Sequence, residues 1–167
     1  EEVLKIRLSV YGENHSRVAS VYNDIGEIYS VQGDDFKALD YFKKSLKIVL
    51  SVYGENHSQV SSIYDHIGEV YFAQKDYSKA LYYFEESLKI RLSLFGENHP
   101  EVALSYYSIG SLYIIQGDKS KALNYYEKSL KIRLSVYGEN HPLTKEIMDL
   151  INVAANSKVL QSPETTK

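Results

Sequence analysis

The chain of 167 residues has no cysteine and no tryptophan, one methionine and three prolines. Without cysteine there is no disulfide framework, no thiolate nucleophile and no thiolate metal ligand. No apolar run approaches the roughly 18 residues that a membrane span requires. An excess of one charge is lacking too. The 19 Lys and Arg against 22 Asp and Glu leave a net charge of -3, too small to point to a nucleic acid. There is no phosphate loop, no metal triad and no nucleophile with a spaced base, so neither catalysis nor a cofactor is expected. No signal peptide is legible, and the expected location is cytoplasmic. The opening EEVLKIRL, without an initiator methionine, fits a removed targeting segment or a larger parent protein. Tyrosine, by contrast, is abundant, with 16 copies. Apolar residues make up 44% and charged residues 25%, the balance of a folded globular chain long enough for a sizeable core.

The pentapeptide YGENH stands at 11–15, 53–57 and 137–141, and FGENH at 95–99. The spacing is 42 residues throughout, so internal repetition governs the reading. Segments 12–53, 54–95 and 96–137 align without gaps as three full repeats. Residues 1–11 match 85–95 and read as the second half of a preceding unit. Residues 138–160 begin another unit and then diverge, and 161–167 are expected to be a disordered tail.

Within a unit the apolar period is helical. Val18, Tyr22, Ile25, Ile28 and Tyr29 fall at spacings of three and four, which predicts a first helix over about 16–32. QGDD at 32–35 breaks the pattern, with Gly33 suited to a helix stop and Asp34 to an N-cap. A second helix is predicted over about 34–53, burying Ala38, Leu39, Tyr41, Phe42, Leu46, Ile48 and Leu50. The GENH segments then form the corner to the next unit. Their glycine supplies a left-handed residue after the helix, and Asn or His caps the next one. A shared metal site is excluded, because packed helices lie about 8–10 Å apart whereas metal ligands lie near 2 Å. The NHS triplets at 14–16 and 56–58 match a glycosylation pattern by incidence alone.

The pattern Y-x-x-I-G-x-x-Y-x-x-x-G-D-x-x-K-A-L-x-Y-Y-x-K-S-L resembles the tetratricopeptide repeat. Gly26, Gly68 and Gly110 match its small residue where the two helices approach, and Tyr29, Tyr71 and Tyr113 match the aromatic one turn later. Ala38, Ala80 and Ala122 match the alanine of the second helix, and Phe42, Phe84 and Tyr126 its aromatic. The period of 42 and the opening H-P-x-V-A look like the kinesin-light-chain type. The resemblance covers about residues 1–145 and implies an all-α, right-handed superhelical solenoid of antiparallel helix pairs. It also implies a non-catalytic scaffold that binds extended peptides in a concave groove lined by the first helices. Paired asparagines of the kinesin-light-chain type fall here on Asn23-Asp24, Asp65-His66 and Tyr107-Ser108, of which only Asn23 keeps the family residue. The cationic clamp of chaperone-binding relatives is missing, since those positions carry no Lys or Arg.

Positions that vary among the units on the exposed face of the first helix are free to set specificity. They are Ser20, Asn23, Asp24, Glu27 and Ser30; then Ser62, Asp65, His66, Glu69 and Phe72; then Leu104, Tyr107, Ser108, Ser111 and Ile114. The first two sets hold the acids Asp24, Glu27, Asp65 and Glu69. Most Lys and Arg, including Lys43, Lys44, Arg91, Lys128 and Arg133, lie on second helices, so the molecule reads as acidic inside and basic outside. The expected ligand is a protein or peptide with basic residues facing the first two units and an apolar anchor facing the third. The expected site is Asn23, Asp24, Glu27, Asp65, His66, Glu69, Tyr107, Ser108 and Ser111. A backbone hydrogen bond at about 0.5–1.5 kcal/mol, exposed charge pairs at about 0.2–1 each and an apolar anchor at about 1.5–3 sum to roughly micromolar affinity.

The last helix, expected over about 143–160, presents Leu143, Ile147, Leu150, Ile151 and Leu160 on one face and reads as a cap closing the stack. The first half-unit, with Val3, Leu4, Ile6, Leu8 and Val10, has no such cap, and self-association through it is expected to be possible. The alternative function is therefore a structural spacer or self-associating rod.

Overall fold

The computed structural model describes residues 2–156. Leu160 and the tail expected at 161–167 lie outside the described residues. Among the described residues the fold is wholly helical: α1 (Glu2–Tyr11), α2 (Ser16–Val31), α3 (Asp35–Tyr53), α4 (Ser58–Ala73), α5 (Tyr77–Phe95), α6 (Pro100–Ile115), α7 (Lys119–Tyr137) and α8 (Pro142–Asn156). The pairs α2–α3, α4–α5 and α6–α7 are antiparallel hairpins stacked into a right-handed solenoid, with α1 before them and α8 packed on α7.

Each hairpin closes over its glycine. A Cβ at Gly26, Gly68 or Gly110 would lie 2.7, 2.7 or 2.6 Å from the ring of Phe42, Phe84 or Tyr126. That is inside van der Waals contact, so these positions must lack a side chain for the helices to meet. Above this contact three tyrosines recur. Tyr29 stacks on Tyr41 at 5.6 Å, Tyr71 on Tyr83 at 5.6 Å and Tyr113 on Tyr125 at 5.7 Å. Tyr22, Tyr64 and Tyr106 tilt against the same partners. The tyrosine content is thus largely packing between the two helices of a unit.

Local chemistry sets the corners. Asp34, Asp76 and Asp118 cap the second helices by accepting from the backbone N–H of Lys37, Lys79 and Lys121. The ammonium groups of those lysines pair with the capping carboxylates and sit over the tyrosine rings below. At the other corners the histidines are the caps. Nδ1 of His15, His57 and His99 accepts from the backbone N–H of Arg17, Gln59 and Glu101 at 3.1 to 3.2 Å. Each ring packs on the aromatic four residues earlier, as His57 does on Tyr53 at 4.2 Å between centroids. That contact selects histidine over the neighbouring asparagine as the cap.

The core repeats with the chain except in the first unit, where Ile25 is half-buried against fully buried Ile67 and Ile109. Val70 and Leu112 are 1% and 0% exposed, but their counterpart Ile28 is 55% exposed. Val70 and Leu112 each have a preceding first helix to cover them. Among the described residues Ile28 has only α1 before it, which is the second helix of a pair.

Candidate functional site

α2 touches α4 across the first two repeats, and the equivalent helices α2, α4 and α6 share one side of the stack, its inner wall. Contact between α2 and α4 centres on His66. Its Nδ1 lies 3.1 Å from Asn23 Oδ1, and its Nε2 lies 3.7 Å from Glu27 Oε1. The Asn23 amide also donates to Glu27. Asn23, Glu27 and His66 are therefore one cluster across two repeats. Asp24 and Glu69 stand exposed on the same wall. The Glu69 carboxyl, although open to solvent, is pushed above its ordinary value by partial burial, with His66 opposing and the Asp65 and Glu27 charges adding to the effect.

Asp65 has a different environment. Its carboxylate pairs at 2.7 Å with Arg91, whose side chain is only 5% exposed. Arg91 also reaches Glu101 at 3.0 Å and the Ser105 hydroxyl at 2.8 Å. Burial pushes the Asp65 carboxyl above its ordinary value, with the Arg91 charge opposing. This corrects the assignment of Arg91 to a basic outer face, and Arg133 likewise. Arg133 is 4% exposed, donates to the Leu143 carbonyl at 2.6 Å, pairs with Glu146 at 3.4 Å and lies over the Tyr107 ring. The cations that do stand outside are lysines such as Lys43, Lys44, Lys47, Lys89, Lys128 and Lys131.

In the third unit the expected residues turn to internal partners. Tyr107 donates its hydroxyl to Glu146 at 3.1 Å. Ser111 bonds the Tyr107 carbonyl and the Tyr126 hydroxyl, and Ser108 is half-buried. The apolar side chains nearby are open: Leu104 is 45% exposed and Ile114 37%. Sequence reasoning missed Val49 and Gln59, which line a cavity of about 200 Å³ together with Asn23, Asp24 and the variable-position serines Ser20 and Ser62. No group of histidines and carboxylates able to hold a metal occurs among the described residues. No helix among them is long and apolar enough to cross a membrane.

A family model for the tetratricopeptide repeat matches residues 17–93 and 59–135, most of the chain. The chain belongs to the tetratricopeptide repeat family. This tetratricopeptide protein superposes on BtubC (BKLC) from P. vanneervenii with a TM-score of 0.75 at 23% identity, over 82% of this chain and 55% of that one. It thus spans about half of that relative. A Podosopora anserina chain with nearly identical TPR-like repeats of the kinesin-light-chain kind gives 0.75 at 16% identity, over 92% of this chain and 72% of that one. The N-terminal domain of stress-induced protein-1 from C. elegans gives 0.62 at 18% identity, over 84% and 96%. At these identities the likeness is one of fold. No curated protein matches the sequence. Tetratricopeptide repeats are protein–protein interaction scaffolds, and the fold is typically non-catalytic.

Proposed function

We propose that this tetratricopeptide protein binds a basic segment of a protein partner along its inner wall, with an apolar residue of that segment on α6. The observation that carries the reading is the separation of charge. Asp24, Glu27 and Glu69 are exposed on the inner wall, whose helices carry Arg17 as their one Lys or Arg, while the exposed lysines of the repeats, Lys75 in its turn apart, lie on the second helices beside acids such as Asp40, Glu85 and Glu127. Leu104 and Ile114 supply the apolar surface further along the wall. Asp65 supports the wall through Arg91 rather than by offering its charge to a ligand.

The test is a peptide-display selection on the wild-type chain and on a Glu27→Lys/Glu69→Lys variant. Both positions are exposed, so the variant keeps the buried Asp65–Arg91 pair. Enrichment of basic-plus-apolar peptides on the wild type alone supports the proposal. Enrichment of the same peptides on both, or of none on either, overturns it. The spacer reading rests on a different surface. Val3, Ile6 and Val10 on α1 are 56%, 56% and 64% exposed, beside the open Ile28. Sedimentation equilibrium over a hundredfold range of concentration distinguishes a self-associating rod from a monomer with a peptide ligand.

A further inference from the structure

One repeat lacks a side chain that the others carry, and a cavity stands in that place. Positions 7, 49, 91 and 133 are equivalent by the repeat of 42 and read Arg, Val, Arg and Arg. The three arginines all reach toward the next first helix. Arg7 donates to the Arg17 carbonyl, and Arg133 to the carbonyl of Leu143. Arg91 is held by Asp65, Glu101 and the Ser105 hydroxyl. Shifted back by one repeat, those three partners are Asn23, Gln59 and Ile63, and all three line the cavity of about 200 Å³ between α2, α3 and α4. Val49, in the place of Arg91, forms part of the same lining. The cavity is therefore the guanidinium chamber of the other repeats, left open because valine stops short.

Its walls suit a guanidinium. Gln59 Oε1 is buried and has no hydrogen-bond partner among the described residues. Asn23 Oδ1 faces His66, and the Asp24 carboxylate adds a negative charge at the lining. The hydroxyls of Ser20 and Ser62 donate to the Ser16 and Ser58 carbonyls, which leaves their oxygen lone pairs as acceptors. A guanidinium brings five N–H donors in a fixed plane and no acceptor, matching a chamber rich in acceptors. A lysine ammonium supplies charge without the planar fork and is more strongly hydrated. The volume is that of several waters, at about 30 Å³ each in the liquid, enough for a guanidinium with part of its stem.

We propose that this chamber receives an arginine side chain of the partner segment, completing in trans the contact that Arg7, Arg91 and Arg133 make in cis. The inference rests on the inner-wall reading above and names the residue that is bound and where. It predicts arginine over lysine at one ligand position, at least tenfold in Kd. It also predicts that Val49→Arg fills the chamber from within and expels the ligand.

The experiment is an NMR titration of the full chain with N-acetyl-arginine amide and, separately, N-acetyl-lysine amide, following the Gln59 side-chain amide. It is run on wild type, on Val49→Arg and on Gln59→Leu. The expected result is a saturable shift of the Gln59 signal with the arginine amide, at least tenfold weaker with the lysine amide. Val49→Arg should lose the response while its Gln59 signal already lies near the arginine-bound position. Gln59→Leu, followed at the Asn23 side chain, should bind at least severalfold more weakly. Equal response to both amides, no response in the wild type, or an undiminished response in Val49→Arg overturns the inference. Peptide display run alongside separates the two claims. Basic peptides that bind wild type and Val49→Arg alike sink the chamber and spare the wall. Arginine amide that moves Gln59 while no peptide is enriched does the reverse.

Discussion

Lys75 occupies the turn position held elsewhere by Gly33 and Gly117, and it is forced to a φ of 62°. A left-handed backbone costs a residue with a Cβ about 1–2 kcal/mol, while glycine in the unfolded chain loses part of that gain to entropy. Lys75→Gly is therefore expected to stabilise the protein by about 0.5–1 kcal/mol, read from the urea midpoint at constant slope. Gly110 gives the opposite sign. Alanine in a helix is ordinarily about 1 kcal/mol better than glycine. Here the new Cβ would meet the Tyr126 ring at 2.6 Å and the Ala122 carbonyl at 3.3 Å. Overpacking costs about 1–3 kcal/mol, so Gly110→Ala should lower the melting temperature. His99→Ala should cost roughly 1 kcal/mol as a lost cap, and the aromatic contact with Phe95 goes with it. Asp65→Ala leaves Arg91 with Glu101 as its one carboxylate, beside the Ser105 hydroxyl, and should destabilise by roughly 3 kcal/mol, toward the low end for a broken buried pair.

At the scale of the helix, acid should act through the caps. Hydrogen bonds from Lys37, Lys79 and Lys121 hold Asp34, Asp76 and Asp118 below their ordinary value of 3.8, the backbone bond weighing most at Asp118. A carboxylate lowered on folding adds stability above its unfolded value and loses it as pH falls through the folded value. Asp65 and Glu69 oppose this, since burial raises both. Their contribution becomes more favourable as pH falls from their folded values toward 3.8 and 4.5. Replacing the three caps by asparagine keeps the cap and removes its titration. Urea melts at pH 6 and pH 3 should show a smaller acid loss in that triple variant than in the wild type. The helices themselves were legible in the sequence. Spacings of three and four, with Gly33 and Asp34 as punctuation, place α2 and α3 within a residue or so of their observed ends. The burial of Arg91 was not legible. An arginine on an amphipathic helix reads as solvated, and its partners Asp65, Glu101 and Ser105 come from two other helices. The same blindness made Asp65 look like a ligand-facing acid. The exposure of Ile28 was likewise hidden, because the apolar period marks a face without saying whether a neighbour covers it.

Over the whole molecule, stacking three near-identical hairpins places one set of side chains on an inner wall and another outside. Identity among repeats serves the stacking, and departures from it create local chemistry. Val49 opens a chamber, Asn23 and His66 join two repeats, and Asp24, Glu27 and Glu69 make the wall acidic. A wall held by exposed charge should bind at about micromolar affinity and weaken in salt, since the Debye length falls from about 8 Å at physiological ionic strength to about 3 Å at 1 M. The absence of tryptophan leaves the background clear for a fluorophore on the ligand. The most direct measurement is therefore fluorescence anisotropy of one labelled peptide, selected by display on the wild type. It is titrated with wild type and with Glu27→Lys/Glu69→Lys at low and high salt. The account predicts micromolar binding to the wild type that weakens in salt, and a loss of at least tenfold in the variant. Binding of equal strength to both proteins, unaffected by salt, would contradict it.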